Sequence, residues 1–239
     1  MTYTVAIDAG HGGKDPGAVA NDIRECDIVL DVAHRVAKHI EKHYPGIKPK
    51  LTRMDNSFVE LKNRTDNANA WGCDAFISIH VNAAGATSAN GYESFIYKSR
   101  PSDSVKLQGK LDRQLAPVWV GKDRAGRGAK AKNFHVLRET DHAACLVELG
   151  FITNDKDANL LKDGDFLQQN AEAIADGLAD YFGVKKEASA CPPSAGQKNL
   201  YAVIIEGEQK GAYNKTENVI RAVESAVKDG RSHIELKLT

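Results

Sequence analysis

Val5-Ala6-Ile7-Asp8-Ala9-Gly10-His11-Gly12-Gly13 is an apolar run that passes into a glycine-rich loop carrying a histidine. Two other runs share its design. Ala75-Phe76-Ile77-Ser78-Ile79-His80 ends on a histidine, and Cys145-Leu146-Val147-Glu148 ends on a glutamate. Parallel strands share one carboxyl edge, and α/β enzymes build their sites along it. Two imidazoles and a carboxylate arriving at one edge predict an α/β fold with metal-assisted chemistry where the strands stop.

The rest of the chain agrees with that reading. Residues 3–8 read as a strand, and the loop 10–17 leads into a helix over 24–43. At about 100° per residue, Glu25, Val29, Val32, Val36 and Ile40 share one stripe. Glu25 therefore opens a buried face, where a glutamate needs a partner. Strands are expected at 48–52, 74–80, 91–97, 134–137 and 144–149, and helices at 58–71, 104–118 and 163–182. The basic, glycine-containing stretch 121–133 reads as a loop. Strands alternating with helices imply a mostly parallel, twisted sheet flanked by helices.

Composition changes at Lys185. Residues 185–199 hold prolines, serines and alanines without periodicity and read as a linker. Residues 200–239 regain structure, with strands at 201–205 and 233–238 around a helix at 216–228. The expected organisation is a catalytic domain over 1–184, the linker 185–199, and a small β-α-β type module over 200–239. Some forty residues give a marginal core, so such a module docks on a partner or self-associates.

Charge and hydropathy narrow the function classes. The 239 residues hold 32 basic and 32 acidic side chains, a formal net charge of zero. Nucleic-acid binding needs a basic surplus, so it is not expected. No apolar run approaches the roughly 20 residues that span a bilayer, so no membrane partner is expected either. Met1-Thr2-Tyr3-Thr4 lacks the basic and apolar regions of a signal peptide. The expected place of synthesis and folding is the cytoplasm. Cys26, Cys73, Cys145 and Cys191 are widely spaced, with no CxxC pair, and read as free thiols.

His11, Glu25 and His80 form a His-Glu-His set suited to catalytic zinc, which takes three protein ligands and keeps one position open. Zinc offsets the burial of Glu25. Glu148 is then the general base, taking a proton from the zinc-activated water and returning it to a leaving amine. Singly, each of these residues is an ordinary polar group at a strand end; their coincidence carries the reading. His39 and His43 stand at i, i+4, but the sequence offers them no third ligand. Gly13-Lys14 looks like the end of a phosphate-binding loop, yet that motif needs glycine at position 8 and serine or threonine at 15, where this chain has Asp8 and Asp15. The chain also lacks HExxH.

The run Ile7 to Ala18, Glu25, the run Ser78 to Ala83 and the run Leu146 to Asn154 together resemble the zinc-dependent N-acetylmuramoyl-L-alanine amidases of the type 3 amidase family. Leu61 to Arg64, Arg127-Gly128 and Leu137-Arg138 also look familial, and the likeness covers residues 2–183. The resemblance implies a peptidoglycan hydrolase that cuts between the lactyl group of N-acetylmuramic acid and L-alanine of the stem peptide. It makes His11, Glu25 and His80 the Zn2+ ligands, Glu148 the catalytic glutamate, and Asn82 and Arg138 substrate contacts. Ala143 departs from the family, which often has proline there. The short stretch 83–90 implies an open site without an inserted blocking helix.

An open amidase domain with a linker and a small tail looks like a phage or prophage endolysin, released to the cell wall by a holin. The tail is then a module for a wall polymer, or else one for dimerisation. With six basic and six acidic residues in 200–239, simple charge attraction is not its mode. Two other readings stand beside this one: a zinc peptidase cutting within the stem peptide, and an inactive wall-binding protein.

Overall fold

The computed structural model describes residues 2–187, 201–205, 208–213, 228 and 234–238. The chain divides into two compact units, Met1–Ser189 and Ala190–Thr239. The expected linker brackets that division. Residues 184–187 still belong to the first unit: the Val184 amide donates to the Ala179 carbonyl and the Glu187 amide to the His43 carbonyl.

The first unit is built on a six-stranded sheet in the order β4-β1-β5-β8-β6-β7. Its strands are β1 (Tyr3–Ala9), β4 (Ile47–Leu51), β5 (Ala75–Asn82), β6 (Tyr92–Tyr97), β7 (Gly126–Lys132) and β8 (Ala143–Phe151). β4, β1, β5 and β8 run parallel, while β6 is antiparallel to β8 and parallel to β7. A short hairpin, β2 (Val19–Ala20) with β3 (Ile23–Arg24), precedes α1 (Glu25–His43). The remaining helices are α2 (Leu61–Ala70), α3 (Ser102–Val120), α4 (His135–Arg138), α5 (Asp155–Leu161) and α6 (Gly164–Phe182). No helix among the described residues is long and apolar enough to cross a membrane.

Alternation along the strands sorts the core into two unequal layers. Val5, Ile7 and Ala9, Ile77 and Ile79, and Cys145 and Val147 join the large cluster under α1, α3 and α6. Ala6, Phe76, Ala144 and Leu146 face the other way, into a small cluster that includes Ala68 of α2 and Val136 and Leu137 of α4. With a side-chain period of two, Asp8, His80 and Glu148 fall on this thinner face. The sheet thus aims its polar strand ends at the side covered, among the described residues, by the short helices α2 and α4. That parity is what leaves room for a site.

Two segments assigned from the sequence take another form in this unit, and the β2–β3 hairpin and α5 were not assigned at all. Residues 126–132 form an edge strand, not a loop, because β6 offers them a partner although glycine, alanine and lysine favour strands poorly. Exposed Arg127 and Lys132 give the free edge the charge that discourages further pairing. Residues 135–138 form one helical turn, not a strand. Their apolar pair Val136 and Leu137 packs on the thin face, and a run this short carries no periodicity to tell the two apart.

In the second unit, β9 (Tyr201–Ile205), β10 (Glu208–Tyr213) and β11 (Ile234–Leu238) form an antiparallel sheet in the order β10-β9-β11. β10 was not expected, and it converts the simple β-α-β outline into a three-stranded sheet. Glu208, Lys210 and Gly211 favour strands poorly, so β10 carries no signal of its own and forms because the expected strand β9 pairs with it. The expected helix at 216–228 and the linker lie largely outside the described residues.

Candidate metal centre

The loop after β1 turns sharply at His11, whose φ of 59° lies in the left-handed region. A non-glycine residue there stores on the order of 1–3 kcal/mol of strain and is held by its surroundings. Two buried arginines hold this one. Arg64 donates to the carbonyls of Ala9 (2.6 Å), His11 (2.7 Å) and Val59 (2.9 Å). Arg53 donates to those of Ala9 (2.9 Å), Gly10 (2.8 Å) and Cys26 (2.9 Å). Each backbone carbonyl that leaves the sheet thereby finds a cationic donor.

Beneath the loop, Asp8 is the anion that balances Arg64. It is 1% exposed and accepts from Arg64 Nη1 (2.8 Å), Thr52 Oγ1 (2.6 Å) and Ser78 Oγ (2.7 Å). Burial alone raises its pKa, but Arg64 and the two hydroxyls outweigh burial and hold it below the ordinary carboxylate value. Stability from this pair is therefore complete above that ordinary value and drains away only as the pH falls through the lower, folded one. Arg64→Met leaves Asp8 buried and unpaired. It is expected to destabilise the domain by about 3–5 kcal/mol, read as a shift in the urea midpoint; a shift within experimental error would show that Asp8 does not depend on Arg64.

Above this base the three expected ligands meet. His11 Nε2 stands 3.1 Å and His80 Nδ1 2.9 Å from Glu25 Oε1, and one ligand atom from each residue lies within 4.8 Å of the others. The two imidazole rings are nearly perpendicular, with centroids 4.9 Å apart. Glu25 is 4% exposed and sits at the first turn of α1, where the helix dipole favours a carboxylate. The Val81 amide donates to its Oε1 (3.0 Å) and the Ala18 amide to its Oε2 (2.9 Å). Two glycines make this packing possible. A side chain at Gly10 would occupy the place of the His80 ring, and one at Gly17 would meet the Glu25 carboxylate and the His11 ring.

The donor set fits a metal ion. Burial opposes the charged form of His11, yet Glu25 and Asp15 raise its pKa to about 9. Burial and the hydrogen bond to Glu25 likewise compete at His80, and the carboxylates prevail and raise it. Glu25 is pushed up by burial but drawn well below the usual range by the two rings. Two imidazoles sharing one buried carboxylate hold protons that a divalent cation can replace. Asp15 completes the arrangement: its Oδ2 lies 2.8 Å from His11 Nδ1, so it can hold a proton there and leave Nε2, which faces Glu25, for a cation. Asp15→Ala is expected to weaken metal binding about 10–100-fold, measured by competition with a chromophoric chelator. Unchanged affinity would mean that the ring is oriented without Asp15.

Glu148 completes the centre from β8. It pairs in register with His80 on one side and with Glu93 on the other, so the three side chains form a row across β5, β8 and β6. Its Oε2 is shielded and lacks a hydrogen-bond partner among the described residues. Burial raises its pKa to about 7, His80 opposes that shift, and Glu25 and Glu93 add to it. Such a group exchanges a proton near neutrality. His11, His80 and Glu148 line a cavity of about 450 Å³ walled by Phe58, Val59 and Leu146.

Asn82 and Arg138 do not line that cavity. Asn82 Nδ2 donates to Glu93 Oε1 (2.7 Å), while Arg138 is exposed and bonds Glu139 (2.6 Å) and Asn133 (2.9 Å). Sequence reasoning passed over Asp15, Arg53 and Glu93. Asp15 carried a signal, standing at i+4 from His11; Glu93 carried none, because its role depends on register with Glu148.

A family model described as N-acetylmuramoyl-L-alanine amidase matches residues 5–180. The chain belongs to this family. The amidase is 40% identical over 186 residues to the sporulation-specific N-acetylmuramoyl-L-alanine amidase of Bacillus subtilis, covering 78% of this chain and 71% of that one. It is 37% identical over 228 residues to the endolysin of Bacillus phage SPP1, covering 91% and 82%. A match of that length runs past the first unit into the second. Among solved structures, the catalytic domain of CwlV, an N-acetylmuramoyl-L-alanine amidase from Bacillus (Paenibacillus) polymyxa var. colistinus, aligns with a TM-score of 0.72 at 36% identity, over 77% of this chain and 100% of that domain. The mainly parallel six-stranded sheet is the architecture these structures share.

Proposed function

We propose that this amidase cleaves the amide between N-acetylmuramic acid and L-alanine in peptidoglycan, with Zn2+ held by His11, Glu25 and His80 and with Glu148 as the general base. The observation that carries the reading is the convergence of three ligand atoms within 4.8 Å beside a carboxylate poised near neutrality. Zinc, when bound, acidifies water and polarises a carbonyl oxygen. The chain's own residues supply the rest. Glu148 accepts a proton from water as the water oxygen bonds to the lactyl carbonyl carbon. When the carbon–nitrogen bond breaks, the acid form of Glu148 returns the proton to the departing amine of L-alanine. Asp15 keeps His11 in the ligating tautomer, and Phe58, Val59 and Leu146 give the cavity an apolar wall.

The biological role that fits is a phage or prophage endolysin acting on the wall after release, supported by the SPP1 relative whose similarity extends into the second unit. On this reading, residues 1–184 are the catalytic domain and 200–239 a module for the wall polymer. Mass spectrometry of digested peptidoglycan tests the cut. Intact glycan strands with stem peptides bearing new L-alanine amino termini, absent with a chelator, are expected. Cuts inside the stem peptide would replace this reading with a peptidase, and binding without cuts would leave a wall-binding protein.

A further inference from the structure

The far end of α1 carries a second group of donors. Fourteen residues beyond Glu25, about 21 Å along the helix, His39 and His43 stand one turn apart with ring centroids 4.5 Å from each other. The facing helix, α6, presents its own one-turn pair, Glu172 and Asp176. His39 Nδ1 lies 3.7 Å from Glu172 Oε1, and His39 Nε2 lies 3.8 Å from Asp176 Oδ1. The side chain of His39 is 7% exposed. Among the described residues, neither its Nε2 nor His43 Nδ1 has a hydrogen-bond partner.

Buried imidazole nitrogens without partners are uncommon and call for an explanation. The gaps to the two carboxylates exceed hydrogen-bond length. They lie close to the roughly 3.4 Å that separates two donors across a tetrahedral metal with bonds of about 2.0–2.2 Å. Asp176 already holds a cation: Lys186 Nζ stands 3.3 Å from its Oδ1, and the Tyr44 hydroxyl donates to the same oxygen. Lys186 is half-exposed and can leave.

We propose that His39 Nε2, His43 Nδ1 and the Asp176 carboxylate form a second site for a divalent transition metal, zinc by its nitrogen and oxygen donors, with Glu172 adding negative charge on the Nδ1 side of His39. His43 and Asp176 must rotate inward to close the set, and both are exposed enough to do so. The bound ion takes the place of Lys186 and ties α1 to α6 at the end remote from Glu148. Its role is structural, since no group of the cavity lies nearby.

The test uses the full chain, stripped with a chelator and dialysed against chelator-buffered Zn2+, with the metal counted by mass spectrometry. Two equivalents are expected in the unmodified protein. His80→Ala, which breaks the first ligand set, should keep one. Adding His43→Ala or Asp176→Asn to His80→Ala should abolish that equivalent and, with it, the rise in melting temperature on adding Zn2+. The buried His39 is left intact, so folding is not at stake. One equivalent in the unmodified protein with none in His80→Ala would overturn the proposal. So would a retained equivalent in both double variants, which marks adventitious surface binding.

Discussion

Glu148→Ala is expected to keep zinc at the His11, Glu25 and His80 set while peptidoglycan hydrolysis falls on the order of 10³- to 10⁴-fold. The variant removes no ligand and leaves the strand pairing of β8 untouched. It also removes a shielded carboxylate whose Oε2 has no hydrogen-bond partner among the described residues, so folding loses little; the melting temperature should stay the same or rise. The measurement is metal content beside the initial rate of release of L-alanine amino termini. Near-normal turnover would take Glu148 out of the chemistry. Zinc loss in this variant would make it a ligand instead.

His80→Ala is expected to lose both metal at this set and hydrolysis. Removal of a residue that merely orients a ligand costs about 10–100-fold in affinity, and removal of a ligand costs more. The loss also reaches the protein. His80 is one of the groups that let Glu25 remain ionised while 4% exposed. Without it, Glu25 keeps the Ala18 and Val81 amides and His11, so the carboxylate stays satisfied and the domain stays folded. Full activity in the absence of metal at this set would refute the zinc assignment.

The parallel core of the fold was legible because its signals are local. Apolar runs bounded by glycine or by polar strand ends marked β1, β5 and β8, and the stripe from Val29 to Ile40 marked α1. The proposed ligands were legible for a related reason: each stands where such a run stops or a helix starts. What could not be read depends on partners distant in sequence. β7 is a strand because β6 lies beside it, and its own residues favour a loop. Residues 135–138 are a turn of helix because the thin face of the sheet has room for one. Arg53 and Arg64 look like surface charges until the loop carbonyls of residues 9–11 are placed beside them. His39 and His43 lacked a third ligand in sequence, and the packing of α6 on α1 supplies a candidate.

The clamp of Arg53 and Arg64 on the loop carbonyls decides when the catalyst is assembled. Those bonds, and the amides on Glu25, join protein to protein and contain no ion. The three proposed ligands are thus brought together by the polypeptide alone, and a zinc ion would find them already in place. Chelation should therefore act as an off switch that leaves the polypeptide intact, and returning the ion should restore lysis within the time of metal diffusion, with no refolding phase.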